Sequence, residues 1–376
     1  MNPHANDRIG TIQQLYDGAL MPDIQVNTLR NIERLFATAT VRHGAAVLPL
    51  PAAAKSLGDV GFDSGGKRYD LYDYVSLNRV SGLLVIKDGR IAHESYQFGN
   101  TPQTRWTSMS LAKSITATLV GVAIQDGYIE CIDDPIVQYL PALEGSAYDG
   151  VSVRDLLQMA SGVGWNETYT DPLSDRRRML EVQGTQTPGG VLKLMAKLPR
   201  VAAPGTRWNY STGETHVVGA LVRAAVGKPV SQYLSERIWS RVGMESDASW
   251  WLESPNGLEV GGSGLSATLR DYGRFGLFLL DEGLAGGERV LPNGWHAADA
   301  AGQVDHSADG DGAVFRGGNR RRAALRLRGD LHHPADDPPR RGRHAGSRLG
   351  WDADRGALLR YGAGLPGWTA RRHLFA

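Results

Sequence analysis

Cysteine is almost absent: Cys131 stands alone among 376 residues. One thiol closes no internal disulfide and builds no cysteine-based zinc cage. No run of about 18 apolar residues occurs, so no membrane-spanning helix is expected. Residues 1–16 mix Asn, His, Asp, Arg and Gln and lack the apolar stretch of a secretory signal. The expected compartment is therefore cytoplasmic. An excess of one charge is missing too: 41 Lys+Arg face 40 Asp+Glu, a net of +1. That argues against a dedicated nucleic-acid or membrane-surface protein. No Gly-x-Ser-x-Gly elbow is present, which removes an α/β-hydrolase. No His-Glu-x-x-His motif or Cys/His cluster is present either, and His332-His333 alone reads as surface. No metal and no cofactor is expected.

The last absences are local. Residues 301–376 contain no Lys, no Glu and no Ile, and only two valines, Val304 and Val314. They hold 14 Arg and 8 Asp, a net of +6, whereas residues 1–300 carry a net of −5. Three readings of this tail stay open. It is a folded part of the domain, although β-branched runs are absent. It is an Arg-rich binding arm, although Asp336 and Asp337 interrupt the charge. Or it is GC-rich sequence translated out of frame, which yields Arg, Ala, Gly, Pro, His and Asp. Strands are expected not to form there, which would leave an apolar sheet edge upstream exposed.

What is present supports a packed core: 41% hydrophobic residues, with 9 Trp and 13 Tyr. Residues 1–75 read as an N-terminal arm with one helix near Val26–Phe36, residues 76–300 as the main domain, and 301–376 as the anomalous tail. Ser81–Ile86 and Ile91–Tyr96 flank Lys87-Asp88-Gly89-Arg90, a strong hairpin signal. Leu111, Ile115, Leu119 and Val122 recur at helical spacing, predicting an amphipathic helix from Ser110 to Gln125. Ser152 with Asp155 predicts a capping box opening Val153–Met159. Further helices are expected at Gly189–Lys197, Glu214–Ala225, Val230–Arg241 and Leu269–Glu282. A hairpin, then helices, then late strands indicates α+β.

Ser-x-x-Lys occurs twice, at Ser64–Lys67 and Ser110–Lys113. Gly65-Gly66 suits a loop, whereas Ser110 opens a helix. Residues three apart share a helical face, so the Lys113 amine can reach the Ser110 hydroxyl. A helix N-terminus also favours a developing oxyanion. Tyr210, in Tyr210-Ser211-Thr212, is a second candidate base if its neighbours lower its pKa. The alternatives are plain: Ser110 as a simple N-cap, Lys113 as a solvated side chain, Tyr210 as a core aromatic.

Ser110-Leu111-Ala112-Lys113, followed about a hundred residues later by Tyr210-Ser211-Thr212, resembles the penicillin-recognising serine hydrolases. That group holds class C β-lactamases, D,D-peptidases and β-lactamase-fold esterases. Trp106–Ser114, Tyr148-Asp149-Gly150, Asn166–Pro172 and Gly261-Gly262 extend the likeness to the 6-aminohexanoate-dimer (nylon-oligomer) hydrolases, over roughly residues 28–298. The resemblance implies an antiparallel sheet flanked by helices, with an inserted helical subdomain. It implies a Ser110 acyl-enzyme cleaving amides or esters, with Lys113 and Tyr210 sharing the proton work. Tyr169, Thr212, Val260 and Gly261 would contact the small-molecule substrate, in a monomer or homodimer. Two departures stand out. Val260 replaces an Asn before Gly261-Gly262. The third motif, Lys-Thr-Gly or His-x-Gly, has only His344-Ala345-Gly346 to match it. The competing readings are a carboxylesterase on this fold and a catalytically impaired relative lacking its third motif.

Overall fold

The computed structural model describes residues 3–295 and the strand Gly356–Gly362. The chain folds around two antiparallel sheets. In the first, the strands run in the order Thr38–Val41, Ala248–Trp251, Leu265–Thr268, Arg105–Thr107. Thr38 opposes Trp251, and Arg105 opposes Thr268. In the second, Val80–Lys87 lies between Arg90–Tyr96 and Gly356–Gly362. Between the strands Arg105–Thr107 and Ala248–Trp251 the ordered elements are all helical. This is the inserted helical layer, and the whole is α+β.

The hairpin forms where Asp-Gly placed it. Asp88 and Gly89 take φ of 51° and 71°, the left-handed pair that a two-residue turn needs. The expectation for its free edge is overturned. Gly356–Gly362 pairs antiparallel along Val80–Lys87, with Leu359 opposite Leu84. The segment Ala357-Leu358-Leu359-Arg360-Tyr361 holds no Ile or Val. The expectation weighed the lack of β-branched residues and the cost of burying Arg across the whole tail, but the ladder bonds are made by the backbone, and this short run holds a single Arg, Arg360. The other expectations for residues 301–376, His344-Ala345-Gly346 among them, lie outside the described residues.

Residues 12–41 share the main core: Ile12, Leu15, Tyr16 and Val41 are buried within it. The helix expected at Val26–Phe36 instead spans Pro22–Arg30, with Pro22 at its start. Asn31 at φ −126° ends it, and a short 3-10 turn, Ile32–Arg34, follows. Ser64 and Lys67 end two short strands joined by Gly65-Gly66, so they form a hairpin turn and no helical pair.

The helix Leu111–Gln125 is central. Ile115, Leu119 and Val122 are fully buried, but so are Ala112, Thr116, Val120 and Ala123 around the other faces. Gly121 permits this closeness, because a Cβ there would lie 2.6 Å from the Trp295 ring. The helix packs against Thr212–Val226, itself almost wholly buried. Val153–Leu157, Gly190–Ala196 and Leu269–Leu280 form near their expected places. Ser152 and Asp155 complete the capping box. Val230–Arg241 is broken into Val230–Leu234, a wide π turn Ser235–Trp239 and Ser240–Val242. The helix Asp175–Gly184 is one that the pattern Arg176-Arg177-Arg178 hid.

Candidate active site

Strand Arg105–Thr107 runs into a tight turn in which Met109 takes a positive φ of 45°. Such a backbone costs a non-glycine residue on the order of 1 kcal/mol or more, and it swings the next residue onto the start of the helix. Ser110 occupies the N-cap position but makes no side-chain cap bond. Its hydroxyl is therefore free for other partners, which removes the simple N-cap reading.

Those partners are two. Lys113 Nζ lies 3.1 Å from Ser110 Oγ, and the Tyr210 hydroxyl donates to Ser110 Oγ at 2.9 Å. Lys113 also lies over the Tyr210 ring, 4.9 Å from its centroid. Lys113 is only 8% exposed, so it is no solvated side chain. Its amine reaches two further oxygens, Thr212 Oγ1 at 3.0 Å and the Gly262 carbonyl at 2.8 Å.

Burial brings the Lys113 amine down to about 7, against the opposing pull of Glu167 and with help from Arg176. A neutral amine beside a serine hydroxyl has the chemistry of a general base. Tyr210 moves the other way. Burial, with the Glu167 carboxylate, pushes its phenol up from the ordinary value. The expectation that Tyr210 is a low-pKa base is thus corrected: the site holds it protonated, as a donor.

The remaining expected residues divide. Thr212 is buried between Lys113 and Glu167. Tyr169 donates to Glu167 at 2.9 Å and meets Tyr16 edge-on at 5.5 Å. Gly261 offers its carbonyl to Thr116 Oγ1 at 2.7 Å. A Cβ on Gly261 or Gly262 would lie 2.5 Å from a backbone carbonyl of the helix Thr212–Val226, so both glycines are required for close approach. Val260 is not brought to the nucleophile. Its side chain is in the hydrophobic core, and its carbonyl accepts from Trp250 Nε1.

Glu167 is the residue whose role sequence reasoning missed. It lies within Asn166–Pro172, but an isolated Glu in a loop carries no signal. In the structure it gathers Thr212, Tyr169 and Trp165 into one cluster. Among the described residues no group of acidic, His or Cys side chains is arranged to hold a metal. Among them too, no helix is long and apolar enough to cross a membrane.

The family model described as Beta-lactamase matches residues 78–321. A 6-aminohexanoate-dimer hydrolase of Paenarthrobacter ureafaciens is 30% identical over 238 residues, covering 62% of this chain and 60% of that protein. A D-aminopeptidase of Brucella anthropi is 28% identical, over 44% of this chain and 31% of its own length. The chain thus spans less than two thirds of the length of each of these relatives. A solved structure from Bacillus anthracis, described as a candidate 6-aminohexanoate-dimer hydrolase, shares the fold. It aligns with a TM-score of 0.68 at 22% identity, over 77% of this chain and 76% of its own.

Proposed function

Because the chain belongs to the Beta-lactamase family, we propose that it is a serine hydrolase that cleaves amide or ester bonds through a Ser110 acyl-enzyme. The observation that carries this reading is the double hold on one hydroxyl, by Lys113 at 3.1 Å and Tyr210 at 2.9 Å. A serine is a poor nucleophile until a base is in reach.

The proton path follows from the two shifts. Lys113, whose neutral form is well populated from about pH 7 upward, takes the Ser110 proton as Oγ attacks the substrate carbonyl. Oγ stands at a helix N-terminus, where free N–H groups and the positive end of the dipole favour the oxyanion. As the intermediate collapses, Tyr210 gives its proton to the departing amine or alkoxide. The resulting phenolate lies beside the Lys113 ammonium. Water then attacks the acyl-enzyme and returns a proton to Tyr210, while Lys113 returns its proton to Ser110 as Oγ leaves. Acid and amine or alcohol are released, and both residues are restored.

Tyr169, Thr212 and Gly261 are proposed to border the bound acyl or amine portion, with a small-molecule amide such as an aminohexanoate dimer, or a short ester, as substrate. A fluorophosphonate probe with peptide mapping tests the nucleophile. Ser110 is expected to carry the label. Labelling at another serine, or hydrolysis unchanged in Ser110→Ala, would refute the reading.

A further inference from the structure

Among the described residues Glu167 makes no hydrogen bond to Ser110, yet four donors converge on its carboxyl. Oε1 accepts from the Tyr169 hydroxyl at 2.9 Å and from Thr212 Oγ1 at 2.5 Å. Oε2 accepts from the Thr212 backbone N–H at 2.9 Å and from Trp165 Nε1 at 2.5 Å. Two of the four bonds therefore grip Thr212, once by its backbone and once by its hydroxyl.

A hydroxyl has one proton and two lone pairs, and an ionised carboxyl only accepts. Thr212 spends its proton on Glu167, so its oxygen presents a lone pair to Lys113 Nζ at 3.0 Å. The Gly262 carbonyl, at 2.8 Å, also only accepts. A neutral lysine amine has two protons and one lone pair. With Thr212 and Gly262 taking the two protons, the lone pair has a single direction left, the Ser110 hydroxyl at 3.1 Å.

We propose that Glu167 is a positioning residue that, through the Thr212 hydroxyl, aims the Lys113 lone pair at Ser110. This rests on the acyl-enzyme reading above. Glu167 adds a second, electrostatic effect, since its charge opposes the loss of the Lys113 proton. The other groups acting on Lys113 are the Arg176 guanidinium, which favours the neutral amine, and the Tyr210 phenol under its chain.

Glu167→Gln breaks the arrangement in a defined way. Oε2 faces two obligate donors, so the amide must turn its NH2 toward the hydroxyls. Thr212 then accepts from Gln and turns its own proton toward Lys113, which occupies the lone pair. The kcat of E167Q is expected to fall roughly 10- to 100-fold with KM little changed, as for a small misalignment of a catalytic group. Its acidic limb in kcat/KM should move to lower pH, because the negative charge that held the lysine proton is gone. A residue that merely braces the loop would not move that limb. Thr212→Val should lose a similar factor, and Thr212→Ser should restore most of it. The double variant E167Q/T212V should be no worse than either single one.

Additive losses in the double variant, or an unmoved limb in a folded E167Q, would overturn the proposal. So would T212V at wild-type rate, which is decisive even if E167Q fails to fold. Fluorophosphonate labelling of Ser110 in the wild type separates the layers. Labelled and active enzyme with additive losses refutes Glu167 alone. An unlabelled wild type refutes the acyl-enzyme reading and this inference with it.

Discussion

The helix Thr212–Val226 buries two sets of polar groups within its first two turns, and they are built in opposite ways. At its first residue, Thr212 is bonded on both sides, to Glu167 and to Lys113. Farther along, Glu214 and His216 are buried at 2% and 0% exposure. Glu214 accepts from Ser161 Oγ, but its Oε2 has no hydrogen-bond partner among the described residues. Neither ring nitrogen of His216 has one there either, and the Glu253 carboxyl lies 3.6 Å from its Nε2. Burial acts on one group in each cluster in the same sense, favouring its neutral form. It lowers Lys113 to about 7 and raises Glu214 to about 8. The difference lies in what the neutral group can do. Neutral Lys113 faces a nucleophile, whereas protonated Glu214 faces a single serine. On the proposed mechanism one shift makes a base; the other only sets how stability varies with pH.

Substitutions can break or sharpen that contrast. The largest effect is expected for Ser110→Ala, a loss of roughly 10⁴- to 10⁶-fold in kcat on a p-nitrophenyl ester, since a nucleophile and its base act as a unit. Tyr210→Phe should lose about 10²- to 10⁴-fold, the range for one general acid, and more on amides than on esters because an amine leaves only when protonated. Next comes Gly262→Ala. Its Cβ would lie 2.5 Å from the Thr212 carbonyl, so the Gly262 carbonyl must withdraw from Lys113. A fall of about 10- to 100-fold is expected, with a loss of about 1–3 kcal/mol in denaturant titration. Glu214→Gln, by contrast, should leave kcat near the wild-type value. If it instead matched the Gly262 variant, the division between the clusters would fail.

The smallest effects are in stability, and their signs are opposite. Lys113 has a folded pKa below its unfolded one, so the unfolded chain holds more protons between about pH 7 and the ordinary lysine range. Its burial therefore costs most below pH 7, and that cost fades as pH rises. Lys113→Met should melt a few °C above wild type at pH 6, with the gap closing toward pH 10. Glu214 has a folded pKa above its unfolded one, so its burial costs nothing at low pH and most above about pH 8. Glu214→Gln should melt a few °C higher at pH 9 and no higher at pH 4. Thermal melts of both variants across this range check the signs together.

The proposed catalytic trio was legible because each member sat in a local pattern. Ser110 and Lys113 share a helical face, and Tyr210 stands just before a helix start. The hairpin was legible from Asp88-Gly89 for the same reason. Glu167 was not, because its meaning lies in bonds to residues 45 positions away, which no spacing encodes. The direction of the Tyr210 shift was missed because it depends on burial and on Glu167, neither of which a motif displays. Val260 was read from its neighbour Gly261, whereas the fold turns its side chain into the core. The strand Gly356–Gly362 was missed because composition over 76 residues hid one short apolar run.

The central claim is that neutral Lys113 activates Ser110. It is tested most directly by the rate of fluorophosphonate labelling of Ser110 as a function of pH. The rate should rise through an inflection near pH 7 and then level off, and Lys113→Met should label slowly with no inflection. Labelling of the wild type that is flat from pH 5 to pH 9, or a Lys113→Met variant that labels at the wild-type rate, would contradict it.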